Sequence, residues 1–173
     1  MIRTLAIGIL STFILACEKL PDPVVPDTPR EENNEGKENN GNDNSGETDT
    51  TMPETIKITV SGKTLPVKIE DNEATKALVE ALRTSSITYE AHDYGGFEKV
   101  GSLGLGLALP SSDTQITTQA GDVILYSGNQ IVLFYGTNSW SYTRIGKMEY
   151  GTLDELKVFL KAGQGMITVT LSL

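Results

Sequence analysis

The sequence is poor in the residue types that most often build reactive or metal-binding centres. Its 173 residues include one cysteine, Cys17, and one histidine, His92. An intramolecular disulfide and a cluster of several histidines are therefore excluded, and stability must come from an ordinary apolar core. Neither a Gly-x-Ser-x-Gly elbow nor a phosphate-loop glycine spacing occurs. We accordingly predict no catalytic residue, no metal ligand and no cofactor.

The sequence also lacks an apolar run long enough to enter a bilayer and remain there as a span. The apolar segment within residues 1–16 is too short for that, and it follows the basic Arg3, which is typical of a secretory signal. The segment ends in the letters ILAC at Cys17, which resembles the bacterial lipobox, in which the cysteine is acylated. We expect lipid on Cys17 to hold the protein to a membrane on the extracytoplasmic side of the cell envelope. A plain signal peptide with an incidental Cys17 is the alternative.

Apolar residues almost disappear in the next segment, from Glu18 to Glu54. It carries eleven acidic and three basic residues, whereas residues 55–173 carry twelve and ten, so the net charge of −9 is concentrated in this segment. A segment this polar buries too little apolar surface to offset the entropy that it would lose on ordering. We therefore predict a disordered acidic tether over residues 17–54. The nearly neutral remainder predicts neither strong electrostatic steering nor nucleic-acid binding. We expect a monomer.

Residues 55–173 have the length of one domain, and their patterns predict mainly strands with two helices. Helical spacing of apolar residues runs from Asp71, the expected N-cap, to Arg83, and Thr152 with Glu155 forms a capping box before a second short helix. The segment from His92 to Gly101 is predicted to be a loop. The predicted strands are 55–60, 65–69, 87–91, 103–109, 121–126, 131–135, 142–148 and 166–173.

Two segments resemble a bacterial cyclophilin-like domain family. They are DYGGFEKVGSLG at 93–104 and TQAGDVILYSGNQIVLFYGTNSWSYTRIGKM at 118–148. The resemblance implies a closed cyclophilin-like eight-stranded antiparallel β-barrel capped by two short helices. A sheet of many short strands hides its edges by closing in this way, so the strand pattern and the resemblance agree.

The resemblance raises the question of peptidyl-prolyl isomerase activity. True cyclophilins place an Arg, a Phe and a Gln on adjoining strands, but the spacing Arg-x4-Phe-x2-Gln does not occur, and Arg83 and Arg144 are the only arginines of the domain. Because a shared fold does not supply an activity, we interpret the domain as a binding or interaction module. An isomerase with a rearranged site around Arg144 is the alternative.

Candidate ligand-binding residues lie in two segments. Trp140, Tyr142 and Arg144 alternate, so a strand places them on one face, where they could hold an extended peptide or a small polar ligand. The alternative is an aromatic ladder in which Arg144 packs the barrel wall. Glu98 and Lys99 should point to opposite faces, and a solvated or locally paired role is the simpler expectation for them. The complete candidate set is His92, Asp93, Tyr94, Phe97, Glu98, Asn138, Trp140, Tyr142 and Arg144.

Overall fold

The computed structural model of the protein describes residues 51–104 and 106–173. The predicted signal segment, Cys17 and the tether up to residue 50 lie outside these residues. Nine strands and two helices follow one another in the described part. They are β1 Thr55–Val60, β2 Lys63–Ile69, α1 Glu73–Thr84, β3 Ile87–Tyr94, β4 Glu98–Ser102, β5 Thr114–Thr117, β6 Asp122–Tyr126, β7 Gln130–Phe134, β8 Ser139–Met148, α2 Leu153–Phe159 and β9 Ile167–Ser172.

Eight of the strands close into an antiparallel barrel in the order β2-β1-β9-β3-β4-β7-β6-β8. Pairing of β2 with β8, where Val67 lies opposite Met148, closes the ring. The ninth strand, β5, pairs with the first half of β8, where Ile116 lies opposite Trp140. Closure satisfies the backbone groups that open edges would expose. The predicted closed eight-stranded barrel is confirmed.

The barrel is filled by side chains at alternate positions of its strands. Ile56 and Ile58 of β1 are completely buried, as are Val169 and Leu171 of β9, because alternate side chains of a strand point to the same side. Each such side chain contributes about 1.5–3 kcal/mol on leaving water. Both helices add to the same core, and Leu78 of α1 is among the side chains that they bury there. The helices therefore belong to the same hydrophobic core as the barrel interior.

The helix ends follow capping chemistry, with one correction. The N-cap of α1 is Asn72 and not Asp71, because the Asn72 side chain accepts a hydrogen bond from the Thr75 backbone N–H at 3.0 Å. The Asn72 amide also donates to the Arg144 carbonyl at 2.8 Å, which ties the start of α1 to β8. The predicted capping box of α2, Thr152 with Glu155, is confirmed. Within residues 51–104 and 106–173, no helix is long and apolar enough to cross a membrane.

The predicted strand at 103–109 is wrong, and so is the loop predicted at 92–101. The chain instead forms the hairpin of β3 and β4, and residues 103, 104 and 106–109 belong to no strand. Gly104 and Gly106 have φ values of +101° and +97°, which lie outside the range of a regular strand. Leu103 and Leu109 are nevertheless anchored by backbone hydrogen bonds to Asn129 and Gly128 of the β6–β7 turn. The spacing of the leucines could not distinguish a strand from this irregular segment, because buried residues of a loop can recur at the same interval as the buried residues of a strand.

Candidate ligand-binding site

The wall formed by β4, β7, β6 and β8 is apolar on both of its faces. Inward-pointing residues such as Leu125, Ile131 and Leu133 belong to the main core. Outward-pointing residues make a second cluster on the outer surface of the barrel, and Ile124, Val132, Phe134 and Tyr142 are its buried members. Strands with two apolar faces require cover on both sides. On the outer face, that cover is incomplete.

The incomplete cover leaves a cleft of about 400 Å³, which we call the outer cleft. It is lined by Tyr94, Glu98, Val100, Tyr126, Gln130, Val132, Asn138, Trp140 and Tyr142. A pocket of this size that is mostly apolar and carries a few polar groups matches the usual construction of a small-ligand site.

Aromatic rings form one side of the outer cleft and fix each other's positions. Tyr142 meets Phe134 and Tyr126 edge to face, with ring centroids 5.8 and 5.9 Å apart. Phe97, at the β3–β4 turn, lies parallel to Phe134 at 6.3 Å. Offset-stacked and edge-to-face pairs add about 0.5–1.5 kcal/mol each beyond the burial of their area. Trp140, by contrast, is 56% exposed at the mouth of the cleft.

Asn138 fixes the polar end of the outer cleft. Its side-chain amide donates a hydrogen bond to the Tyr142 hydroxyl at 3.0 Å, and its backbone N–H donates to the Thr118 hydroxyl at 3.0 Å. The Asn138 carbonyl in turn accepts from the Thr118 backbone N–H at 2.8 Å. Burial raises the pKa of the Tyr142 phenol. The phenol is therefore a neutral, oriented hydrogen-bonding group.

Glu98 is the one carboxylic acid that lines the outer cleft in the described part of the chain. It lies opposite Tyr94 in β3 and opposite Phe134 in β7, and only 5% of its surface is exposed. Its Oε2 atom has no hydrogen-bond partner within residues 51–104 and 106–173. Burial raises the pKa of this carboxyl to about 7. The expectation of a solvated or locally paired Glu98 is wrong, because the residues around it come from strands distant in sequence.

Lys99 points to the opposite side of β4, as alternation predicts, and it too is completely buried. Its ammonium lies 2.8 Å from the Asp93 carboxylate and donates to the Gly165 carbonyl. Asp93 also accepts hydrogen bonds from the Tyr135 hydroxyl and from the backbone N–H groups of Gly163 and Gly165. Burial raises the pKa of Asp93, but these hydrogen bonds outweigh it, so the pKa lies below its usual value. Asp93 thus binds Lys99 and its neighbours and does not line the outer cleft.

Arg144 lies outside the outer cleft, although it shares a strand face with Trp140 and Tyr142. It lines a neighbouring depression that Tyr142 also borders. Its guanidinium is 3.3 Å from the Asp122 carboxylate and 3.7 Å from that of Glu70. The Asp122 side chain is 1% exposed, so this pair is partly withdrawn from water. The guanidinium is therefore already paired with two carboxylates of the chain itself.

The remaining candidates divide between the cleft and its surroundings. Tyr94, Glu98, Asn138, Trp140 and Tyr142 are brought together in the outer cleft, whereas Phe97 supports it from the second cluster. His92 is exposed on β3, opposite Val100, and does not line the cleft.

Four further lining residues escaped the sequence reasoning: Val100, Tyr126, Gln130 and Val132. One signal could have pointed to the strands β6 and β7, which carry three of them. The runs DVILY and IVLF are apolar at consecutive positions, which indicates strands covered on both faces.

This chain is similar to one protein family and to solved structures of other proteins. The model of the cyclophilin-like family matches residues 58–172. The solution structure of a hypothetical protein from Archaeoglobus fulgidus is 17% identical, with a TM-score of 0.49, over 68% of this chain and 92% of that one. The structure of McbB in complex with tryptophan is 14% identical, with a TM-score of 0.44, over 68% of this chain and 44% of that one. A comparison with curated proteins gives no match.

Proposed function

We propose that this chain, which belongs to the cyclophilin-like family, is a binding module whose outer cleft takes an extended peptide or a small polar ligand. The observation that carries the proposal is the unpaired Glu98 Oε2 in an aromatic cleft. A buried polar atom without a partner costs about 1–3 kcal/mol, and a ligand that supplies the partner removes that cost. Preformed rings around it supply contact area without further ordering.

The second part of the proposal concerns location and rests on the sequence alone. Acyl chains on Cys17 hold the protein to a bacterial membrane on the extracytoplasmic side, and the acidic segment from Glu18 to Glu54 separates the barrel from the lipid. Labelling of cells with radioactive palmitate tests this. Label is expected in the parent chain and absent from a Cys17→Ser variant, and label that persists in the variant overturns the anchoring.

The binding role is tested by titrating the full chain with a library of small neutral, cationic and anionic fragments while backbone amides are followed by NMR. Binding fragments are expected to shift the signals of Gln130, Trp140 and Tyr142 together. Replacing Trp140 with Ala should weaken the binding of those fragments. The control Val158→Ala, at an exposed position on α2, should leave their binding unchanged. Fragments that shift only residues around α2, or none at all, contradict the proposal.

The competing function is a prolyl isomerase with a rearranged site. The position of Arg144 outside the outer cleft favours the binding module, because a substrate in the cleft would not meet the guanidinium, which faces Asp122 and Glu70 instead. A protease-coupled proline isomerisation assay on the full chain distinguishes the two. The binding module predicts a rate equal to the uncatalysed background, and a rate above background that falls in Arg144→Lys supports the isomerase.

A further inference from the structure

The outer cleft holds a carboxyl group without a counter-ion. Among its described lining residues there is no lysine or arginine. Lys99 follows Glu98 directly but points to the barrel interior, where Asp93 binds it. Arg144 is held by Asp122 and Glu70. When Glu98 ionises, nothing described in the cleft neutralises its charge.

The same cleft presents four aromatic rings from three different strands. Tyr94 comes from β3, Tyr126 from β6, and Trp140 and Tyr142 from β8. The faces of such rings carry negative electrostatic potential and attract cations, tryptophan most strongly. Tyr94 and Trp140 are 64% and 56% exposed, so both are accessible to a ligand that enters from solvent.

We infer that the outer cleft selects an organic ammonium group, with its positive charge at Glu98 and its alkyl substituents against Trp140 and the tyrosines. The inference rests on the proposed binding function and specifies its ligand class. An ammonium group meets both features at once, because it pairs with the carboxylate and is attracted by the rings. An anionic ligand would be repelled by Glu98, and an alkane of the same shape would leave the charge of the ionised carboxylate uncompensated. The ammonium group can belong to a free small molecule or to a lysine side chain.

The geometry also implies that binding depends on pH. An ammonium ligand binds the ionised form of Glu98, so its affinity should rise as that carboxyl loses its proton and should level off above about pH 8. The other titratable groups that line the cleft are the phenols of Tyr94, Tyr126 and Tyr142. Ligand binding below that pH should release a proton to the buffer.

Two matched pairs of probes test the inference on the full chain. Choline and its neutral isostere 3,3-dimethyl-1-butanol differ only in the charge of the branched centre, and a blocked lysine tripeptide is compared with its norleucine analogue. Shifts of the Trp140 and Tyr142 amides measure binding. We expect at least one cation to bind at least about fivefold tighter than its isostere, and the preferred pair distinguishes a free ammonium ligand from a lysine side chain.

Two variants separate charge from shape. Glu98→Gln keeps the size of the side chain and should reduce the preference for the cation to about twofold or less, with loss of the pH dependence. Trp140→Leu, at a half-exposed position, should weaken binding of the cation more than binding of the isostere. Isosteres that bind the cleft as tightly as the cations overturn the ammonium inference and leave the binding module standing. If no probe pair and no library fragment shifts the cleft residues, both proposals fail.

Discussion

The Lys99 ammonium and the Asp93 carboxylate lie 2.8 Å apart, and the lysine side chain is completely buried. The pair joins the β3–β4 hairpin to the segment before β9, because Asp93 also binds Gly163 and Gly165. Glu98, the preceding residue of β4, lines the outer cleft, and its Oε2 atom has no hydrogen-bond partner among the described residues. The two adjacent residues of opposite charge therefore have separate roles: Lys99 forms a buried ion pair, and Glu98 lines the outer cleft.

Asp93→Asn is expected to destabilise the barrel by about 3–5 kcal/mol, because it leaves the ammonium of Lys99 buried without a counter-charge. Urea unfolding at neutral pH measures this. The double variant Asp93→Asn, Lys99→Met should recover part of the loss, since no isolated charge remains. Asp71→Asn serves as the control, because the Asp71 side chain is 83% exposed, so solvent screens its pairing with Lys76 and the loss of stability should be much smaller. Equal effects of Asp93→Asn and Asp71→Asn would contradict the assignment.

Glu98 should lower the stability of the barrel as the pH rises. Its folded pKa of about 7 lies above the ordinary value of 4.5, so the folded state binds more protons than the unfolded state between these values. The free energy of unfolding is therefore expected to fall by up to about 3 kcal/mol from pH 4.5 to pH 7 through this group.

Glu98→Gln should remove that decline, which urea unfolding of parent and variant at a series of pH values measures. Asp93 acts in the opposite direction, because its lowered pKa makes its stabilisation disappear only in more acidic solution. The difference between parent and variant therefore isolates Glu98. Parallel stability curves for the two proteins over this window would show that Glu98 is solvated.

The close approach of Gly136 to Phe97 should make Gly136→Ala costly. A Cβ atom on Gly136 would lie 2.6 Å from the Phe97 Cβ, and the Phe97 carbonyl accepts hydrogen bonds from both Tyr135 and Gly136. Added volume at this point must displace Phe97 from its stacking on Phe134, at about 1–3 kcal/mol. Thermal unfolding measures the loss, and weaker binding in the outer cleft should accompany it.

Gly151→Ala is the matched control for Gly136→Ala. There the added atom meets the end of the exposed Glu155 side chain, which can turn away at the expense of its hydrogen bond from the Thr152 backbone N–H, so the loss should not exceed about 1 kcal/mol. If Gly136→Ala is as mild as this control, the Phe97 turn is more adaptable than its geometry indicates.

The sequence was sufficient to predict the barrel but only part of the site. Alternation marks the strands because one of their faces is always buried, and the same periodicity placed Trp140 and Tyr142 together. Burial of Glu98 could not be predicted, because it depends on Phe134 and Tyr94, which reach it only through strand pairing. The ion pairing of Arg144 could not be predicted either, because its partner Asp122 lies on β6, which pairs with β8 across a bulge.

Arg144→Ala distinguishes the two interpretations of the face of β8 that carries Trp140, Tyr142 and Arg144. The sequence-based hypothesis predicts that this variant loses peptide binding and keeps its fold. The structure predicts the reverse, because loss of Arg144 leaves the buried Asp122 carboxylate with Lys147 at 3.6 Å as its remaining cation among the described residues. We expect a loss of about 2 kcal/mol in urea unfolding, with affinity for cleft-binding fragments unchanged within about twofold.

Two further variants complete the Arg144 test. Lys147→Ala should cost less than about 1 kcal/mol, because that side chain is 48% exposed. Adding Asp122→Asn to Arg144→Ala should restore part of the stability, since the unpaired buried charge is then gone, although the amide still has to replace the hydrogen bond from the Gln119 backbone N–H. If Arg144→Ala instead abolishes fragment binding at unchanged stability, Arg144 is a ligand-binding residue and the neighbouring depression belongs to the site.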